Sequence, residues 1–489
     1  MIGGGLAGLA CGVALAESGW RVRLFERKPF LGGRATSYVL PNGEHVDNCQ
    51  HVTLGCCTNL ADFYRRVGSA DKIKFFDELV FLDPQGRRGT MKAGLLPAPF
   101  HMAGSFLTFA PLTMRDKFSI ARAMLDIVAA KGKTADLAAP GGISMLEWLR
   151  RRRQTKGAIE RFWRVVLVSA LDEELDHTDA RYGVDVFWKA FLMNSTGYRM
   201  GVPIVPLADL YAGCKAAIES RGGEVTLRSP VRSLQVEGTS ISSVQFDAGR
   251  EESADAYVFA VTHDALFDLM PESIRRAEPA LANLSKIKTA PITGVHFWFD
   301  RPVMDEPFVT LLDTNTQWIF NKSKLYGEQK GTTNNKEQKG TTPSGEQYLQ
   351  LVISASYDLL KKTRQEIIDI CLREIRQALP HAQAAQLMKS TVIKEVAATF
   401  SPQPGVDRWR PPQQTKIPAL FFAGDWTATS WPATMEGAVR SGYLAAESVL
   451  RNSGSPTGPA TSGGAHQFLQ SDLPPTGLMS MFMLKQNPK

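Results

Sequence analysis

The sequence predicts an α/β protein: a Rossmann-like domain assembled from three sequence segments, joined to a mixed α+β domain. Three observations carry that expectation. Gly3, Gly5 and Gly8 form G-x-G-x-x-G at the head of an apolar helical pattern made by Leu6, Leu9, Ala10, Val13 and Ala16. A short strand pattern over residues 21–25 follows and ends at Glu26. Far down the chain, the apolar run 419–423 leads through Gly424-Asp425 into a second helical pattern, with Ala438, Val439, Ala445, Ala446 and Val449 on one face.

Each element has a physical reason. The glycines permit a tight turn, close backbone approach to a pyrophosphate and close packing of helix on sheet, while the helix N-terminus faces the anion. Glu26 stands roughly 20 residues past the turn, where an acid accepts hydrogen bonds from an adenosine ribose. Residues 1–16 are apolar enough to suggest a signal peptide, but they lack a basic n-region, and their glycines weaken a helical h-region. Only Met1 and Ile2 precede the glycines, so either the chain starts further upstream than this sequence or its first strand is a stub. The next element, Leu31-Gly32-Gly33-Arg34, resembles the second signature of the large flavoprotein group that includes amine oxidases, protoporphyrinogen oxidase and phytoene desaturases. Glycines there let the backbone approach a ligand, and an arginine fork can neutralise a phosphate. That resemblance implies FAD, with Gly3, Gly5, Gly8, Glu26, Gly33 and Arg34 at the adenosine and pyrophosphate end and Val231 at the adenine. It also implies that Gly424 and Asp425 contact the ribityl chain, and that the helix start bearing Glu436 and Ala438 directs N–H groups at the flavin. A helix N-terminus there stabilises the negative charge of the reduced ring.

The domain map follows. Residues 1–70, 205–290 and 395–451 are expected to form the FAD-binding domain, and residues 71–204 and 291–394 the substrate domain. Residues 326–347 contain the hexapeptide EQKGTT twice and read as a mobile polar insert, while residues 452–489 read as a largely disordered tail. The last apolar stretch, 478–484, is expected to pack back on the body rather than touch a membrane. Six cysteines with no C-x-x-C pair argue against a metal site or a disulfide scaffold and fit a reducing cytoplasm. The formal charge of +7 is compatible with attraction to an anionic surface. No recognition module accompanies that charge, so nucleic acid is not an expected partner.

Several scattered motifs sharpen the resemblance. Residues 47–56 (DNCQHVTLGC), 96–101 (LPAPFH), Phe162-Trp163, 424–429 (GDWTAT) and 432–442 (PATMEGAVRSG) together resemble the squalene-associated FAD-dependent desaturase family, the hydroxysqualene dehydroxylases. The chain departs from that family at Cys49, where the family usually has glycine. The resemblance implies reduction of hydroxysqualene, a C30 isoprenoid, to squalene, in company with prenyl synthases and at the inner face of the cytoplasmic membrane. The alternative is a carotenoid-type desaturase, which shares the FAD motifs and runs the redox chemistry in the opposite direction. A non-catalytic flavin-binding partner of a prenyl-synthase assembly is a further alternative. Loss of an allylic hydroxyl needs a proton donor in a water-poor site; His51 is the first candidate, and Gln50 is a candidate for orienting the hydroxyl. Residues 93–112 carry no formal charge, yet Pro97, Pro99 and Pro111 would leave backbone groups unpaired in lipid. The segment is therefore expected to line an apolar tunnel or to dip into one leaflet, with plain burial in the core as the alternative. Arg150 to Arg153, Lys156, Arg161 and Arg164 flank Trp148, Phe162 and Trp163, a mixture that suits either a membrane interface or a solvated helix face with core aromatics.

Overall fold

In a computed structural model, residues 1–40, 43, 45–138, 141–327, 345–453 and 467–484 are described. The dinucleotide sheet is built around a single residue. Strand Arg23–Phe25 pairs in parallel with Glu224–Thr226, and Tyr257–Phe259 pairs in parallel with Leu420–Phe422. Ile2 bridges both pairs, contacting Phe25 on one side and Phe259 on the other. The Ile2 N–H donates to the Val258 carbonyl at 2.9 Å, and the Ile2 carbonyl accepts from the Ala260 N–H at 2.7 Å. The stub thus acts as the central strand because its few backbone groups are satisfied from both neighbours.

Helix Leu6–Glu17 leaves this strand and is buried from Leu6 through Ala16. Such an all-round apolar helix belongs in a core. It crosses helix Met435–Asn452 so closely that a Cβ on Gly442 would lie 2.4 Å from the Ala7 carbonyl oxygen.

The second layer is a seven-stranded sheet in the order Leu387–Phe400, Thr289–Phe299, Gln347–Ile353, Trp318–Asn321, Phe308–Leu311, Glu78–Leu82 and Arg88–Lys92. Its pairs are antiparallel except Phe308–Leu311 with Glu78–Leu82. The two longest strands, Thr289–Phe299 and Leu387–Phe400, run through the domain limits expected at 290 and 395. Period-two alternation divides the side chains between two cores. Val309, Ile319 and Leu351 join Ile367, Cys371 and Ile375 of helix Arg364–Ala378 on one face. Phe308, Phe320 and Val352 join Trp163 and Phe187 of the helical layer on the other.

That helical layer decides between the two readings of residues 148–164. Trp148 and Trp163 are fully buried, their rings 6.0 Å apart, and each indole N–H is satisfied internally, by Thr134 and Gln154 respectively. The neighbouring arginines are engaged as well: Arg151 with Glu147, Arg152 with Asp136, Arg161 with Asp313 and Arg164 with Glu174. The mixture of basic and aromatic residues is therefore core plus local ion pairs, with Trp148 and Trp163 withdrawn from the surface.

The expected insert lies mostly outside the described residues, at 328–344; at its edges, Tyr326 donates its hydroxyl to Asp47 at 2.8 Å and Gln347 begins a buried strand. The expectation of a largely disordered tail is corrected for residues 467–484. Phe468 is buried against Tyr443, its N–H donates to Glu447 at 2.8 Å, and Asp472 pairs with Arg440. Residues 454–466 and 485–489 lie outside the described residues.

Candidate functional site

The glycine turn forms a cradle whose shape is set by backbone contacts. A Cβ on Gly3 would lie 2.5 Å from the Ala260 carbonyl oxygen, and Gly3 has φ +104°, a conformation that side chains resist. A Cβ on Gly8 would lie 2.1 Å from the Gly3 carbonyl oxygen. Gly5 differs, because a Cβ there would meet nothing nearer than the Gly33 Cα at 3.9 Å. It would project into the open space in front of helix Leu6–Glu17, whose first turn has no side-chain cap. Uncapped N–H groups facing open space suit a phosphate, so the cradle fits the pyrophosphate of FAD.

The remaining expected contacts converge on this turn. Glu26, 6% exposed, accepts the Gly4 N–H at 2.7 Å and the Lys28 N–H at 2.7 Å. Its carboxylate is thereby aimed along the strand end, with lone pairs left for a ribose. Ser229 donates its N–H to the Glu26 carbonyl at 2.8 Å, which brings the segment containing Val231 to the same end. Gly33 lies against Gly5, and Arg34 donates to the Ala398 carbonyl and to Asp425, each at 2.7 Å. The Arg34–Asp425 pair joins two signatures that are far apart in sequence. Gly424 has φ +155° and donates its N–H to the Ser441 hydroxyl at 2.8 Å, tying the Gly-Asp turn to the C-terminal helix. Thr434 caps that helix, accepting the Gly437 N–H at 3.1 Å, and Ala438 sits in its first turn. The Glu436 carboxylate is engaged by protein: it accepts N–H groups of Asn59 and Leu60 and the Arg440 guanidinium. It thereby anchors the start of helix Thr58–Arg66 beside the start of Met435–Asn452, leaving backbone groups to face a flavin.

From this junction an apolar cavity of about 450 Å³ extends between the helical layer and the seven-stranded sheet. Phe106, Phe162, Phe187, Phe191, Trp318 and Phe320 form aromatic parts of its wall. Gln50, Thr434 and Met435 line it near the cradle, and Phe100 and Leu125 line it where they reach the surface. Gln50 is held by a buried network that sequence reasoning did not find. Lys322, fully buried, donates to Asp47 at 2.7 Å and to the Gln50 side-chain oxygen at 2.7 Å. Asp47 also accepts from Ser37, the Leu207 N–H and Tyr326. Burial pushes Asp47 up, but the Lys322 charge and these hydrogen bonds outweigh it and hold the carboxyl below its ordinary value. Burial lowers Lys322 in turn, opposed by Asp47.

His51 is placed differently from the expectation of a proton donor. Its Nδ1 lies 3.0 Å from the Cys49 carbonyl oxygen, which can only accept, so that nitrogen carries the proton and Nε2 offers a lone pair. Burial lowers its pKa and keeps it neutral. Among the described residues it does not line the cavity, whereas Gln50 does. Asp185, which does line it, is raised by burial against the opposing pull of Lys189 at 3.2 Å. Cys49 is buried among apolar side chains, and burial pushes its thiol up.

Residues 6–450 match the model of the flavin-containing amine oxidoreductase family. The chain belongs to that family. It is an FAD-dependent oxidoreductase. Among its relatives, a zeta-carotene desaturase of Synechocystis is 26% identical over 476 residues, spanning 92% of this chain and 97% of the relative. A 15-cis-phytoene desaturase of Solanum lycopersicum is 26% identical over 475 residues, spanning 92% and 77%. Among solved structures, an oxidoreductase from Methanosarcina mazei shares the fold with a TM-score of 0.68 at 16% identity, covering 92% of this chain and 99% of that one. A cyclohexylamine oxidase from Brevibacterium oxydans does so with a TM-score of 0.64 at 16% identity, covering 93% and 98%.

In this flavoenzyme the sequence signals that worked were glycine spacings, which act locally. Lys322 gave one faint signal, a lysine directly after the apolar strand Trp318–Asn321. Its partner Asp47 lies so far away in sequence that no spacing rule connects them.

Proposed function

We propose that this FAD-dependent enzyme acts on a long isoprenoid chain held in the apolar cavity, and that its reaction is desaturation of a carotenoid-type precursor. The cavity carries the reading: its aromatic wall suits a chain without hydrogen-bonding groups, and it begins beside the flavin helix. The carotenoid desaturases among the relatives support the direction. When bound, FAD supplies two-electron chemistry, taking hydride from a C–H bond in a desaturation or returning it to carbon in a reductive loss of hydroxyl. The protein supplies the rest. Gly3, Gly5, Gly8, Glu26, Gly33, Arg34 and Asp425 would hold the dinucleotide, and the aromatic wall would exclude water and extend the chain.

A second reading, reduction of hydroxysqualene to squalene with the hydroxyl leaving as water, is favoured by one observation. Gln50 lines the cavity with its side-chain oxygen held by Lys322 and one amide N–H donated to the His51 carbonyl at 3.1 Å, which leaves a second N–H for a ligand. A hydrocarbon has no partner for it, while an allylic hydroxyl does.

One anaerobic experiment separates the readings. Oxidised enzyme mixed with 15-cis-phytoene should lose its flavin colour and yield a product lacking two hydrogens. If instead only the reduced enzyme responds, regaining colour with hydroxysqualene and yielding squalene, the second reading replaces the first. Response to neither substrate would overturn both.

A further inference from the structure

The charge-free segment 93–112 divides between two roles. His101, Met102, Phe109 and Leu112 are buried, while Leu95, Leu96, Phe100 and Leu107 face solvent. Helix Met114–Ala129 continues the exposed face with Met114, Phe118 and Leu125; Phe118 is 75% exposed. Lys117 ties the two pieces together by donating to the Leu107 carbonyl at 2.7 Å. The C-terminal helix Leu478–Leu484 then joins the same face. Its first N–H donates to the Ala98 carbonyl at 3.0 Å, and Lys131 lies over the Phe482 ring at 4.9 Å. Met479 anchors this helix in the core, whereas Met481 is 61% exposed. Chain segments far apart in sequence are thus folded together to present apolar side chains outward, an arrangement uncommon on a surface that stays in water.

We propose that this face docks on an anionic lipid bilayer, with the cavity mouth at its centre. Phe100 and Leu125 line the cavity and are exposed as well, so the apolar surface and the apolar cavity are continuous. A mouth surrounded by apolar side chains would open into hydrocarbon once the face is immersed. The charge around it is complementary to anionic headgroups. Over residues 92–133 Asp116 and Lys117 are both buried, and the charges that reach solvent are Lys92, paired with Glu78, Arg115, Arg122, Lys131 and Lys133 against Asp126. No helix among the described residues is long and apolar enough to cross a membrane. The fit is therefore to one leaflet, with short helices and turns lying in the interface.

Purified holoenzyme should sediment with vesicles of phosphatidylcholine and phosphatidylglycerol, bind pure phosphatidylcholine vesicles about tenfold more weakly, and be released by salt. The double variant L95E/F118E should bind the mixed vesicles at least about tenfold more weakly, with flavin content and turnover of detergent-dispersed substrate unchanged. Equal binding by wild type and variant would overturn the proposal. So would a wild type that ignores vesicles but becomes smaller in gel filtration on introducing L95E/F118E, because a second copy would then be what covers the face. Vesicle binding that the variant weakens as expected, together with a wild type that turns over neither substrate, would count against the substrate reading alone.

Discussion

The dinucleotide cradle and the polar end of the cavity position their ligands by different means. The cradle is backbone: Gly3, Gly5, Gly8 and Gly33 act through the side chains they lack, against one another and the backbone of Ala260. The cavity end is made of side chains: Gln50 is aimed by Lys322, which is held by Asp47, and these residues come from separate segments. Backbone cradles fail when an atom is added. Side-chain networks fail when a charge is left without its partner.

The largest expected effect tests the first half of that contrast. Gly8→Val should abolish both flavin retention and a cooperative melt, because its Cβ would lie 2.1 Å from the Gly3 carbonyl oxygen. Gly5→Ala should lose flavin while the apoprotein keeps its Tm, since its Cβ has room in the fold but occupies the space in front of the helix. Absorbance at the flavin band alongside calorimetry reads both; loss of Tm in Gly5→Ala would break the comparison.

Next comes the buried ion pair. Lys322→Met should cost about 3–5 kcal/mol in urea unfolding, because it strands the Asp47 charge in the core. The double variant K322M/D47L should recover much of that loss. If the double variant is no more stable than Lys322→Met, desolvation is not what governs the site.

A smaller change, about 1 kcal/mol of stability, is expected for Thr434→Ala, which removes the cap of the flavin helix. Unfolding midpoints of holo and apo forms should shift together. The smallest effect is in acid. Asp47 is held below its ordinary value in the folded protein, so its contribution is present above the unfolded pKa near 3.9 and is lost as pH falls through the folded one. Tm should therefore fall more steeply with acid below about pH 4 in the wild type than in K322M/D47L. Parallel curves would remove Asp47 from the account.

Much of the cradle was legible because glycine spacing, a strand-end acid and a helix start lie within a few dozen residues. The pairing of Ile2 on both sides was not readable. The basic and aromatic residues around Trp148 and Trp163 left two readings open for a related reason. Local composition suits a membrane interface, but Thr134 and Gln154 satisfy both indoles and acids from other segments pair the arginines Arg152, Arg161 and Arg164. The tail was misread because low apolar content hides single anchors, and Phe468 and Met479 suffice to dock it.

By itself the sequence determined the α/β class, the FAD signatures and the flavoenzyme resemblance, since each rests on short-range backbone chemistry that a few residues encode. Tertiary structure alone decided that Gln50 rather than His51 faces the cavity, that Lys322 stands behind it, and that residues near 95, 118 and 481 share one exposed apolar face. Those relations join segments hundreds of residues apart, and only packing, which weighs burial against pairing across the whole chain, sets which side chains meet.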